Sequence, residues 1–109
     1  MEELIKQVIN IECEEYGRAS VNFGAVNNSD HESFAVLREE VDEAIECLED
    51  VDGLTDGFFG MVKNNEGDKT KIGLLNVIKH RAEEAAAESI QAAAMARKAI
   101  ETIQRRASE

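Results

Sequence analysis

The sequence AEEAAAESIQAAAMARKAI, residues 82–100, determines the class of fold to which this 109-residue chain belongs. On a helical wheel with about 100° per residue, apolar side chains cover most of the circumference of this segment. They are Ala85, Ala86, Ile90, Ala92, Ala93, Ala94, Ala96, Ala99, Ile100 and, just beyond it, Ile103. A helix that is apolar nearly all round is buried on several sides, and small side chains allow its neighbours to approach closely. The segment therefore predicts the central helix of an all-α protein.

Helices are predicted along most of the remaining chain as well. The sequence contains no proline and is rich in alanine and glutamate, a composition that favours helix. In order, apolar spacing and turn residues predict a helix at 2–16, a loop at 18–29, a helix at 30–50, a break at Asp52–Gly53, a short helix at 54–64, a turn at 64–68 and a long helix at 70–106. We therefore expect an all-α antiparallel bundle of four to five helices.

The length and the available side chains predict one domain that does not complete its core alone. A chain of 109 residues has room for a single domain, residues 1–109. Its only aromatic residues are Tyr16, Phe23, Phe34, Phe58 and Phe59. A small chain with few large side chains buries a small core, and oligomerisation is a common remedy. We therefore expect a homodimer or homotetramer whose subunits complete one another's core.

The charge balance argues against several classes of protein. With 23 acidic and 12 basic residues the net charge is −11, so the chain lacks the basic surface that nucleic-acid binding requires. The sequence contains no run of 18 apolar residues, so it predicts no membrane span. Residues 1–12 carry acidic side chains where a secretory signal has basic ones. Cys13 and Cys47 fall in apolar helical patterns, which predicts reduced core cysteines of a cytoplasmic protein.

A polar stripe interrupts the apolar surface of the predicted central helix. Glu84, Glu88 and Gln91 are spaced i, i+4 and i+7 and project within about 60° of one another. Carboxylates on a central helix are costly to bury without a cation or hydrogen-bond partners, so the stripe marks a candidate site. For Glu84, an ordinary surface ion pair with the neighbouring basic residues at 79–81 is the simpler interpretation.

The helix at 30–50 supplies a matching pair of acids. Glu40 and Glu43 are i, i+3 neighbours, so their carboxylates can point toward a common site. If this helix packs against the C-terminal helix, up to four carboxylates converge between them. Hard oxygen ligands in that number suit Mg²⁺, with Mn²⁺ as the second choice. The alternative for residues 39–46 is a solvated acidic face, which is common in a protein this acidic. The candidate metal ligands are Glu40, Glu43, Glu84, Glu88 and Gln91.

Three stretches of the chain resemble the MazG-like all-α nucleotide pyrophosphohydrolases, particularly the short phage- or prophage-type members. The stretches are EEYGRA at 14–19, HESFAVLREEVDEA at 31–44 and AEEAAAESIQAAAMARKAI at 82–100. The family signature is E-x-x-E on one helix and E-x-x-D on a later one. Residues 40–43 match the first half and are preceded by the usual extra acid, Glu39. Residues 88–91 align with the second half, with Gln91 in place of the aspartate.

The resemblance implies a reaction and a role for each of these residues. The reaction is hydrolysis of an NTP or dNTP between the α and β phosphates, in nucleotide housecleaning or phage nucleotide metabolism. The four signature side chains would hold Mg²⁺ against the phosphates, and Glu39 or Glu40 would orient or deprotonate the attacking water. Candidate phosphate contacts are Lys6, Lys63, Lys69, Lys71, Lys79 and Arg81, and candidate base contacts are Asn22, Phe23, Asn27 and Asn28.

Two other functions remain open at this point. A catalytically degenerate relative would bind a nucleotide or a protein partner without turnover. Gln91 favours that alternative, because an amide brings no charge to a divalent cation unless Glu84 or a water molecule compensates. A plain helical interaction module would instead dock a basic partner on its acidic face, and its binding would weaken steeply with salt.

Overall fold

The chain folds into three α-helices and contains no strand. The computed structural model describes residues 1–109, with α1 at Glu2–Phe23, α2 at Asp30–Lys63 and α3 at Asp68–Ala107. The all-α class predicted from the sequence is therefore confirmed. The number of helices is three rather than four to five, because α2 continues through the predicted interruption.

α2 is a single helix because Asp52 and Gly53 do not end it. A glycine in a helix interior costs about 1 kcal/mol relative to alanine, which is little against the hydrogen bonds and packing of the turns that follow. Leu54, Phe58 and Met61 recur at helical spacing beyond the glycine, and all three side chains are partly buried. The predicted break is therefore wrong, since continued packing outweighs the local preference of these two residues.

α1 is also longer than predicted and continues past Gly17 to Phe23. Ala19, in the turn after Gly17, is buried, so the extra turns of helix contribute to packing. The helix ends at Gly24, whose φ of 89° lies in the region that glycine adopts without steric strain. The loop is accordingly confined to residues 24–29, and its predicted first part is helical.

The 24–29 loop is anchored to α2 and α3 by buried polar groups. The backbone N–H of Asn27 donates to Oγ1 of Thr102, and its Nδ2 donates to Oγ of Ser33, each at 2.8 Å. All three residues are buried. Ser29 is the N-cap of α2 and accepts a hydrogen bond from the backbone N–H of Glu32 at 3.1 Å. The Asn27 side chain is therefore engaged in a structural hydrogen bond with Ser33. This role leaves it unsuited to the contact with a nucleotide base that the sequence predicts.

α3 lies between the other two helices, as the sequence of its central segment predicts. It packs against both α1 and α2, whereas α1 and α2 do not contact each other. Its pairing with α2 is antiparallel, because residues late in α3 meet residues early in α2, as in the contact between Arg106 and Asp30. Ala94 has no exposed surface, and Ala85 is 3% exposed, so small side chains let the helices approach closely at these points.

The helices nevertheless leave much apolar surface uncovered. Only nine of 109 residues are buried, and no large side chain is fully enclosed. Leu4 and Ile9 of α1, for example, remain about half exposed. Cys47 is buried as predicted, but Cys13 is exposed, although Nη2 of Arg97 on α3 donates to its Sγ at 3.3 Å. Despite this apolar surface, no helix combines the length and the hydropathy needed to cross a membrane.

Candidate metal centre

Three carboxylates from two helices meet between α2 and α3. Glu40 and Glu43 lie one turn apart on α2, and Glu88 approaches them from α3. One oxygen atom of each carboxylate lies within 4.8 Å of an oxygen atom of the other two, and we call this group the Glu40–Glu43–Glu88 cluster. The convergence of these three predicted residues is observed, because antiparallel packing of α2 on α3 brings the second half-motif to the first.

The cluster carries unbalanced negative charge. Burial, followed by repulsion from Glu43 and Glu88, raises the pKa of Glu40 above its ordinary value. A hydrogen bond to Glu88 and repulsion from its charge likewise raise the pKa of Glu43. None of the eleven ion pairs in the chain includes a residue of the cluster. Three carboxylates without a cationic side chain are an arrangement that a bound divalent cation would balance.

Gln91 lies one turn beyond Glu88 and is held in place by α1. Its Nε2 donates to Oε1 of Glu15 at 2.7 Å. Hydrogen bonds from Arg18 and Gln91 lower the pKa of Glu15 to about 2, so its carboxylate is ionised at neutral pH. An ionised carboxylate accepts only from the NH₂ group of an amide, so the carbonyl oxygen of Gln91 is not the atom bound to Glu15. Sequence reasoning did not identify Glu15, because helical spacing does not show which residues of α1 and α3 meet.

Two further predicted site residues lie beside the cluster. Glu84 accepts a hydrogen bond from Nη1 of Arg81 at 2.9 Å and faces Nε2 of His80 at 3.1 Å. The surface ion pair considered for Glu84 is therefore present, and its metal-binding role stays a prediction. Glu39 is exposed next to Glu40, and its charge adds to those that raise the pKa of Glu40. Both residues lie outside the close group of three.

Arg81 lies two turns before Glu88 on the same side of α3. A separation of seven residues corresponds to about 10 Å along a helix axis. Arg81 donates to Oδ2 of Asp50 on α2 at 2.8 Å, in addition to its bond with Glu84. Arg81 and Asp50 line an open pocket together with Glu49, Gly53, Leu54 and Val77. Among the α3 residues considered for phosphate contacts, Arg81 is the one on the same side as the cluster.

Removing one charge from the metal-free cluster is expected to stabilise the protein. Because the pKa of Glu40 is raised by folding, its ionised form opposes folding. This unfavourable contribution is absent below the ordinary pKa of 4.5 and develops as the pH rises through the raised value. In EDTA at pH 7.5 we expect Glu40→Gln to raise the melting temperature by several degrees, and the gain to disappear near pH 4.

Asp42→Asn is the matched control for this measurement, because Asp42 lies on α2 but pairs with Arg38 at the surface. Its melting temperature should not exceed that of the unsubstituted chain at either pH. If Glu40→Gln melted no higher than the unsubstituted chain at pH 7.5, the unfavourable charge assigned to Glu40 would be wrong.

The candidate site thus combines the cluster with Gln91 and Glu15 one turn further along and Arg81 two turns back. Its ligand atoms are oxygens, and no histidine or cysteine joins the close group. Oxygen ligands suit a hard cation such as Mg²⁺ or Mn²⁺ rather than a soft metal. In comparisons with known proteins, no family model, no curated protein and no solved structure matches this chain.

Proposed function

We propose that the protein is a Mg²⁺-dependent nucleoside triphosphate pyrophosphohydrolase, with Mn²⁺ as an alternative cation. It would convert an NTP or dNTP to the monophosphate and pyrophosphate, in cytoplasmic housecleaning or phage nucleotide metabolism. The observation that carries the proposal is the Glu40–Glu43–Glu88 cluster, which has no cationic partner within the chain. The resemblance of residues 31–44 and 82–100 to MazG-like enzymes favours the same reaction.

The charge of the protein explains why this chemistry requires a cation. A nucleoside triphosphate carries several negative charges, and a chain with a net charge of −11 repels it. A divalent cation at the cluster would neutralise the carboxylates and the phosphates together, acting as a Lewis acid and as a template. In this proposal Glu40, Glu43 and Glu88 hold the cation, the carbonyl oxygen of Gln91 is a fourth ligand, and Glu84 is a reserve ligand.

The protein groups would supply orientation and proton transfer. Glu39 or Glu40 would be the general base, and of the two Glu39 is exposed and lies outside the close group of carboxylates. One of them accepts the proton of the attacking water as the water oxygen bonds to the α-phosphorus. The bond from the α-phosphorus to the oxygen bridging it to the β-phosphate then breaks, and pyrophosphate leaves. Arg81 would contribute its guanidinium to phosphate oxygens, exchanging a carboxylate partner for the substrate.

Gln91 favours a second function, a catalytically degenerate MazG-like oligomer that binds a nucleotide or a protein partner without turnover. The amide adds no negative charge at the fourth position of the signature, and Glu15 holds its NH₂ group. A site with fewer charged ligands binds a divalent cation more weakly. In that case the unsubstituted protein would bind nucleotide without hydrolysing it, and Gln91→Asp would restore metal affinity.

Thermal melts and pyrophosphate release, measured on the same preparation, test the proposal. The protein is melted in EDTA, Mg²⁺ or Mn²⁺, each with and without a mixture of dNTPs. We expect a stabilisation that requires the cation and the nucleotide together, about 2.7 kcal/mol when the ligand is present at 100 times its Kd. The same mixture should release pyrophosphate, and EDTA should stop the release.

The two functions separate cleanly in this experiment. Binding that requires both ligands but yields no pyrophosphate, combined with tighter Mg²⁺ binding by Gln91→Asp, would establish the degenerate alternative. The absence of any shift in all six conditions would contradict both functions and leave the cluster as a solvated acidic face.

A further inference from the structure

We propose that Glu15 is a positioning residue of the candidate metal centre, which acts through Gln91 and does not itself bind the cation. It holds the NH₂ group of Gln91, so that the carbonyl oxygen is the atom of this amide that a cation at the Glu40–Glu43–Glu88 cluster can use. This role rests on the proposed function, because Glu15 acts on the site only if the cluster binds a divalent cation. It gives a reason why glutamine can serve where the family signature has an aspartate.

Glu15 reaches the site from a helix that contributes none of the three clustered carboxylates. It lies on α1, whereas Gln91 lies on α3 one turn after Glu88. Nε2 of Gln91 donates to Oε1 of Glu15 at 2.7 Å. The Glu15 side chain is 19% exposed and Gln91 is also partly buried, so water competes little for this hydrogen bond. The contact therefore connects α1 to the edge of the candidate site.

The chemistry of the two groups fixes the orientation of the Gln91 amide. A glutamine side chain offers a carbonyl oxygen, which can bind a cation, and an NH₂ group, which a cation repels. A half-turn of the terminal bond exchanges the two, and an unrestrained glutamine adopts both orientations. The ionised carboxylate of Glu15 accepts hydrogen bonds but cannot donate one, so only the NH₂ group of Gln91 can face it. The half-turn that would offer NH₂ to the cation costs this hydrogen bond.

Arg18 in turn holds the Glu15 carboxylate. Its Nε donates to Oε2 of Glu15 at 3.1 Å, and its Nη2 donates to Oε1, the oxygen that also accepts from Gln91. Two parallel donors from one guanidinium fix the plane of a carboxylate as well as its position. Metal ligands that are hydrogen-bonded to a carboxylate are better oriented and more basic than free ones. Arg18 and Glu15 together therefore prepare Gln91 as a neutral oxygen ligand.

Mn²⁺ binding, measured by electron paramagnetic resonance on the full chain, tests this role without requiring turnover. Titrations are run with and without the dNTP mixture, and the variants are compared in the condition that gives the tighter binding. We expect Glu15→Gln to raise the Kd for Mn²⁺ by about 10-fold, because it removes the charge that orients the ligand. Glu14→Gln is the matched control, since it removes the same charge from the neighbouring, exposed residue of α1. It should change the Kd by less than about twofold.

Gln91→Leu separates an effect that passes through Gln91 from a general effect of Glu15 on folding or charge. We expect Gln91→Leu alone to raise the Kd for Mn²⁺ by about 10-fold or more, since it removes the ligand itself. Adding Glu15→Gln to Gln91→Leu should then change the Kd by less than about twofold, because Glu15 has no ligand left to orient. Combining Glu15→Gln with Gln91→Glu exchanges the amide and the carboxylate between the two helices. This exchange variant should bind Mn²⁺ at least as tightly as the unsubstituted protein.

The outcomes distinguish a failure of this role from a failure of the proposed function. Equal Mn²⁺ affinities of Glu15→Gln and Glu14→Gln would overturn the role of Glu15, and so would a loss that persists in the Gln91→Leu background. In both cases the unsubstituted protein still binds Mn²⁺, and the proposed function stands. The exchange variant keeps the test decisive if Glu15→Gln fails to fold, because weaker binding by the folded exchange variant would also overturn the role. If the unsubstituted protein bound no Mn²⁺ in either condition, the proposed function and the role would both be wrong.

Discussion

Glu88→Gln is expected to remove the Mg²⁺-dependent stabilisation and to lower the rate of pyrophosphate release by at least about 1,000-fold. Glu88 is the only member of the cluster that α3 supplies, and its carboxylate raises the pKa of both Glu40 and Glu43. A glutamine at this position keeps the size of the side chain but removes a charge that the proposed cation requires. Melts with and without Mg²⁺ and a dNTP mixture, followed by a turnover assay, measure both effects.

Glu83→Gln provides a matched control on the same helix. Glu83 is exposed and pairs with Lys79 at 2.9 Å, and it does not belong to the close group of carboxylates. Its turnover and its response to Mg²⁺ should remain within about twofold of those of the unsubstituted protein. Both variants should retain the helical circular dichroism spectrum. Turnover by Glu88→Gln equal to that of the control would show that Glu88 does not hold a catalytic metal.

The residues of the cluster are predictable from the sequence because helical geometry fixes their directions. The i, i+3 spacing of Glu40 and Glu43 places them on one face of any helix. The apolar surroundings of Glu88 predict that its side of α3 is covered by another element. Antiparallel packing across the short turn between α2 and α3 then suffices to bring the three carboxylates together. Local spacing and one helix pairing therefore determine this part of the site.

The contacts between α1 and α3 are not predictable in this way. Glu15 meets Gln91 across 76 positions of sequence, and neither residue has a spacing that points to the other. The same applies to Glu12 and Arg97, since no pattern distinguishes a partly buried ion pair from two ordinary surface charges. The continuity of α2 through Gly53 was also missed, because the packing that outweighs the glycine lies beyond it in the sequence. Each failure concerns tertiary contacts, which the periodicity of apolar residues along a helix does not predict.

Arg97→Ala is expected to destabilise the protein by about 2–3 kcal/mol, more than the loss of any exposed ion pair. Nε and Nη2 of Arg97 each donate to a carboxylate oxygen of Glu12 at 2.7 Å. The Glu12 side chain is only 10% exposed, so truncating the arginine leaves a carboxylate with little access to water and no cation. Urea unfolding at a fixed protein concentration measures the change in the free energy of unfolding.

The size of this effect depends on the Glu12 carboxylate that is left without a cation rather than on the strength of the ion pair itself. Two further variants separate these two causes. Arg38→Ala breaks an i, i+4 pair in which both side chains are about half exposed or more, and it should cost no more than about 0.5 kcal/mol. Adding Glu12→Gln to Arg97→Ala removes the buried charge and should restore at least half of the lost stability, because the remaining amide is cheaper to bury. A double variant as unstable as Arg97→Ala would show instead that the charge on Glu12 is not the cause. The arginine would then stabilise the protein by packing its aliphatic stem between α3 and α1.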